Sequence, residues 1–199
     1  SRGPPWAPTC PPWVLLGWGA VARDPGAVRG PLSLVRGNGR WDHAGRPFFA
    51  GEVEPGINGR TVAIGAYFAM DVDGIVQRLL GEQLADGGWN CETENGSTRS
   101  SFHSTICVLE GLLEYELAGG SMPVAQARQR GEEYLLVRSL FRRAGTGQVA
   151  DADWLSFSFP PQWHYDVLRG LDYFRSGAIS VDPRLADAVE QVRNKRQLD

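Results

Sequence analysis

The chain has 199 residues, 42% of them hydrophobic, which excludes a disordered tail and supplies apolar material for a folded core. Its 25 glycines and 13 prolines make up about a fifth of the residues, below the roughly 25–30% at which low-complexity behaviour sets in. A formal charge of −3 leaves little material for a broad basic face, so no nucleic acid partner is expected.

Three cysteines, Cys10, Cys91 and Cys107, do not make a disulfide framework, and the expectation is a reducing, cytoplasmic location. The longest apolar run, Trp13 to Ala22, is about half the ~20 residues that span a bilayer, so no transmembrane helix is expected; peripheral contact with a membrane stays open.

Five prolines among residues 1–12 (Pro4, Pro5, Pro8, Pro11 and Pro12) mark an arm, and residues 13–199 read as one domain. That domain repeats: comparable residues fall at 34, 79, 135 and 192, at spacings of 45, 56 and 57. Each unit reads as two helices. The first of each pair is rich in small and apolar residues, at about 13–22, 58–69, 100–117 and 163–175, and belongs on the inside. The second is amphipathic and charged, at about 25–37, 72–84, 123–141 and 183–196, the last opening with an Asp182 cap and Pro183 at the first helical position. Glycine turns such as Asp86-Gly87-Gly88 separate the helices, and no alternating strand pattern is present, so the class is all-α, built from about four helical hairpins.

The string Leu79-x3-Gln83-x3-Gly87-x-Trp89 matches the second part of the QW repeat, and Arg130-Gly131-x2-Tyr134-Leu135 matches the first; Gly39-x-Trp41 is a truncated echo. On these residues the chain resembles the squalene cyclase and protein prenyltransferase superfamily. The resemblance implies an α/α toroid, with inner and outer helices alternating around an apolar cavity for isoprenoid chains. Four hairpins are fewer than a closed ring of this family uses, which implies a partial ring: an open arc, a piece of a larger toroid, or half of a homo-oligomeric ring. Gln83 and Trp89 should pack and hydrogen-bond where hairpins meet, because a buried amide and indole N–H need partners.

The family's acid motif, Asp-x-Asp-Asp, is approached only by Asp71-Val72-Asp73-Gly74, which opens a predicted outer helix and reads as a helix N-terminus offsetting the macrodipole. The Asp-x-Cys pair of the prenyltransferase zinc site is also not intact, since the analogous approach reads Glu54-Pro55-Gly56. The segment around His103 does look like the one that supplies that site's histidine. On a helix His103, Cys107, Glu110 and Glu114 share an arc of about 60°, a polar stripe on an inner helix. By that match His103, with Cys91 in place of the missing thiol, is the candidate zinc pair; the alternative is a hydrogen-bonded core histidine with inert thiols. His164 and Asp166, at the start of the last inner helix, are the other candidate acid–base groups, with capping as the alternative for Asp166. Helix starts converging on one mouth would bring them towards Arg60 and Arg99 as anion holders. Asn58, Tyr67, Phe102, Trp163 and Tyr165 complete the candidate binding wall.

The expected function is therefore binding of an isoprenoid or related lipid, with terpenoid cyclase or prenyl-transfer chemistry. A non-catalytic α/α-toroid binding or scaffold module is the alternative, because neither signature motif is whole and fold does not imply function.

Overall fold

The structure is a computed structural model that describes residues 34–41, 45–157, 164–177 and 182–195. The Pro-rich arm, Cys10, the helix expected at 13–22 and Trp163 lie outside the described residues.

Residues 34–38 are helical, and six helices follow: α1 (Pro55–Tyr67), α2 (Asp73–Gly81), α3 (Phe102–Leu117), α4 (Ala125–Leu136), α5 (Val167–Ser176) and α6 (Ala186–Asn194). Among the described residues there is no β-strand, only two isolated bridges, Arg40 with Pro47 and Arg142 with Val149. The all-α class expected from the sequence is the class observed.

Local chemistry accounts for the helix starts. Pro55 opens α1 at a position whose N–H would have had no intrahelical partner. The Ser101 hydroxyl accepts from the Ser104 amide at 3.1 Å, and Asp166 Oδ1 accepts from the Arg169 amide at 2.8 Å, capping α3 and α5. Asp182 caps the short 3-10 turn Pro183–Leu185 that leads into α6, accepting from the Arg184 amide at 2.8 Å. Several ends differ from expectation: α1 starts at Pro55 and not 58, α2 stops at Gly81 and not 84, α5 starts at Val167 and not 163, and the largest difference is at the end of α4. The helix expected to reach 141 stops at Leu136, because Ser139 (φ 45) and Leu140 (φ 66) turn left-handed. That turn carries Leu140 and Phe141 into the core at 0% exposure, and the Tyr165 hydroxyl donates to the Leu140 carbonyl at 2.6 Å, holding the strained backbone.

The helices pair as α1/α2, α3/α4 and α5/α6, each pair a hairpin. Burial differs among them: ten of the 13 residues of α1 and eleven of the 16 of α3 are buried, six of 12 in α4 and five of ten in α5, against three of nine in α2 and one of nine in α6. The buried helices run in the same direction. A Cβ added to Gly56 would lie 3.6 Å from Ser104 Cα, and one added to Gly59 would lie 2.4 Å from the Cys107 carbonyl oxygen, so advancing along α1 advances along α3. Glycine at 59 and at 111 lets the two backbones touch; any side chain there would force them apart. In the same sense, Tyr165 packs on Phe102 and Arg169 reaches Cys107 and Glu110, so α5 runs parallel to α3. The starts of α1, α3 and α5 therefore lie at one end of the molecule.

The repeat motif sits between hairpins. Gln83 Nε2 donates to the Gly87 carbonyl (2.7 Å) and to the Ala127 carbonyl on α4 (2.8 Å), and the fully buried Trp89 donates its indole N–H to the Leu79 carbonyl at 2.7 Å. Gly131 makes room for Trp89, since a Cβ there would come within 3.0 Å of the indole. The two halves of the sequence motif thus dock on each other across a hairpin junction. Farther along, Arg128 on α4 pairs with Glu116 (2.7 Å) and Glu132 (2.8 Å) and donates to the Tyr173 hydroxyl at 3.0 Å, tying α3, α4 and α5 together.

Candidate functional site

At the shared end of α1, α3 and α5, His103 stands in the first turn of α3. Its ring meets those of Trp154, edge-on at 5.7 Å, and Tyr165, at 6.2 Å. Phe102 lies beside it, 4.6 Å from Trp154, 5.2 Å from Tyr165 and 5.5 Å from Tyr134. The result is an aromatic wall of which Phe102, Tyr134 and Tyr165 are buried and Trp154 is partly exposed. Burial, the Arg169 guanidinium and His164 together hold the His103 pKa below its ordinary value, with Asp151 opposing them. His103 is therefore a neutral imidazole at neutral pH, able to accept a proton.

Beneath this wall lies a buried ion pair. Arg169, its side chain 5% exposed, donates to both carboxylate oxygens of Glu110 (2.8 and 2.6 Å), to Cys107 Sγ (3.3 Å) and to the His164 carbonyl (2.9 Å). Burial, the largest single effect, works against its charge, but Glu110 and Cys107 together outweigh it and the guanidinium pKa is raised. Cys107 and Glu110 of the stripe read from the sequence thus share one partner, Arg169 of α5, which the sequence did not single out.

The structure brings His103, His164, Asp166, Phe102 and Tyr165 to one end and employs several of them. Asp166 is 3% exposed and caps α5. The Tyr165 hydroxyl is committed to Leu140, and burial, ahead of the Asp166 charge, pushes its pKa well up, so it serves as a donor and not as an acid. His164 is exposed just ahead of α5. Asn58 is fully buried, its amide clamping the Glu52 backbone N–H (2.7 Å) and C=O (2.8 Å), which makes it a brace for the turn before α1. Arg60 lies partly buried on α1, and Tyr67 stacks edge-on with Phe68 at the far end of that helix, about 18 Å along the axis from Pro55. Arg99 is exposed on the loop before α3, where its carbonyl accepts from Asn90. Trp154 and Tyr134 were missed: Trp154 lies in a short 3-10 turn, Ala152–Leu155, where no periodicity marks it.

Cys91 contacts the residue after His103. Its sulfur lies 3.1 Å from the Ser104 hydroxyl, and burial pushes the thiol up to about 11, with the Ser104 and Gly56 hydrogen bonds pulling the other way. Among the described residues no three His, Cys, Asp or Glu side chains are grouped to hold a metal ion. Asp73 opens α2, accepts from the Tyr115 (2.5 Å) and Ser121 (2.9 Å) hydroxyls, and is held below the usual carboxylate range by them. It is an ionised group at the start of α2.

The segments leading into α1, α3 and α5 carry exposed Glu54, Glu92, Glu94, Asp151 and Asp153; the exposed cations on or bound to them are Arg99, Arg143, which donates to the Ala150 carbonyl, and Lys195, which donates to the Leu155 carbonyl. No helix among the described residues is long and apolar enough to cross a membrane. Compared with protein-family models, with curated proteins and with solved structures, the chain finds no match.

Proposed function

We propose that the chain is an arc of α/α-toroid hairpins of the squalene cyclase and prenyltransferase type, and that the end where its inner helices begin takes an uncharged isoprenoid or similar unsaturated lipid. The observation that carries this reading is the aromatic wall of Phe102, Trp154 and Tyr165 around a neutral His103 at the starts of parallel inner helices. Aromatic faces and surrounding carboxylates favour positive charge developing on a polyene, and a neutral imidazole can remove the proton that ends such a reaction. The same surroundings disfavour a diphosphate: on the segments leading into α1, α3 and α5 the exposed carboxylates Glu54, Glu92, Glu94, Asp151 and Asp153 outnumber the exposed cations on or bound to them, Arg99, Arg143 and Lys195, and Arg169 is committed to Glu110. Cyclase-type chemistry is therefore favoured over prenyl transfer. Ring closure through a second copy and peripheral contact with a membrane belong to the same proposal.

The second reading, a non-catalytic binding module, is favoured by one observation: Asp166 is a cap and Asp73 is held ionised, so neither is a ready acid to start the reaction. Calorimetry with farnesol, geranylgeraniol and their diphosphates tests both readings. The proposal expects the alcohols to bind at least as tightly as the diphosphates, with Trp154→Ala weakening them. It is overturned if no isoprenoid binds, or if Trp154→Ala has no effect. Bound but unchanged polyenes in product analysis would select the non-catalytic reading.

A further inference from the structure

We propose that the Asn95–Gly96 peptide is a site of spontaneous covalent modification, at which Asn95 passes through a succinimide to aspartate and isoaspartate on the rim of this end of the molecule. The chain has three Asn–Gly pairs, at 38–39, 58–59 and 95–96, and the fold treats them differently. In such a pair the glycine amide nitrogen, after losing its proton to base, attacks the asparagine Cγ. The new N–Cγ bond closes a five-membered imide, and the Cγ–Nδ2 bond breaks to release ammonia, which takes a proton from water. Water then adds to either imide carbonyl, giving aspartate or isoaspartate, with no oxidant or reductant consumed.

Ring closure needs local backbone freedom and space around the glycine. Asn58 has neither. It is fully buried within α1, both ends of its amide are bound to Glu52, and Gly59 lies against the α3 backbone. Asn38 is exposed, but Gly39 is partly buried and crowded: a Cβ there would lie 2.5 Å from the Val35 carbonyl oxygen and 3.2 Å from Phe48 Cβ. Asn95 and Gly96 are both exposed at the end of a five-residue 3-10 turn, Cys91–Asn95, and Gly96 (φ 87) has open space where a Cβ would point. The fold therefore selects Asn95.

Conversion has a local consequence. Asn95 Nδ2 donates to Glu92 Oε2 at 2.7 Å; the product replaces that donor with a carboxylate beside Glu92 and Glu94. Isoaspartate also lengthens the main chain inside a turn closed by Gly96 N to Thr93 O and Ser97 N to Glu92 O, each 3.0 Å.

The test holds the full-length protein at mildly alkaline pH and maps its peptides by mass spectrometry over days, with isoaspartyl methyltransferase labelling. In the folded protein Asn95 should convert an order of magnitude faster than Asn58, while in concentrated urea the two should convert at comparable rates. Asn95→Gln should abolish labelling of that peptide. Equal rates at Asn95 and Asn58 in the folded protein, or labelling of that peptide that survives in Asn95→Gln, would overturn the proposal.

Discussion

Replacing Glu110 with Gln removes one charge from the pair that joins α3 to α5 and leaves the Arg169 guanidinium buried without its counter-ion. Breaking a buried pair from one side costs about 3–5 kcal/mol, because the remaining charge stays desolvated. Here the arginine side chain is 5% exposed and the carboxylate 25%, so solvent screens one side. The glutamine also keeps an oxygen that can accept from the guanidinium. Both effects lower the cost, to about 2–4 kcal/mol. For a chain of this size that is a fall in Tm of roughly 5–15 °C. Urea unfolding followed by far-UV circular dichroism measures it. The double variant Glu110→Gln with Arg169→Met removes the stranded charge and should recover most of the loss, since apolar replacements of whole buried pairs are often near neutral. A Glu110→Gln protein within about 0.5 kcal/mol of the parent would refute the reasoning, because a surface pair behaves that way.

Three further outcomes are expected. His103 is held neutral in the fold by burial, by Arg169 and by His164, while in the unfolded chain it protonates near 6.5; the unfolded state therefore binds more protons below that value. Stability should be flat above neutrality and fall as pH drops through 6.5, and His103→Asn should flatten that part of a urea-midpoint profile. The Cys91 thiol, raised from 9.0 to about 11, should carry about a hundredfold less thiolate than an ordinary cysteine, so iodoacetamide at mildly alkaline pH should label it far more slowly than a cysteine-containing peptide, as timed mass spectrometry would show. Gly59→Ala would place a methyl 2.4 Å from the Cys107 carbonyl oxygen and should cost at least about 1–3 kcal/mol, whereas Gly74→Ala in α2 meets nothing within 4 Å and should stabilise by about 0.5–1 kcal/mol, both read from Tm.

Much of the fold was legible because it is written locally. Small residues such as Gly59 and Ala63 mark a helix that another backbone approaches, while the charged faces of α2 and α6 mark helices that meet solvent. Gln83 and Trp89 were legible because a buried amide and indole must find acceptors. The site was legible only in part. Periodicity put His103, Cys107 and Glu110 on one face, but Arg169 lies 59 residues beyond Glu110, and their meeting depends on how α3 and α5 align, which no local pattern states. Asp166 carried two readings, acid and cap, and only the placed Arg169 amide decides for the cap. The end of α4 was misread because helix propensity continues through residues 137–141, while burial of Leu140 and Phe141 wins by turning the backbone left-handed.

The central claim is that the aromatic wall at the starts of the inner helices is where an isoprenoid sits. Photo-crosslinking with a diazirine-bearing farnesol, followed by peptide mapping, tests it directly. The account predicts labels on the peptides carrying Phe102, His103, Trp154 and Tyr165, competed away by unlabelled farnesol. Competed labels confined to α2 or α6, with none on those peptides, would contradict it.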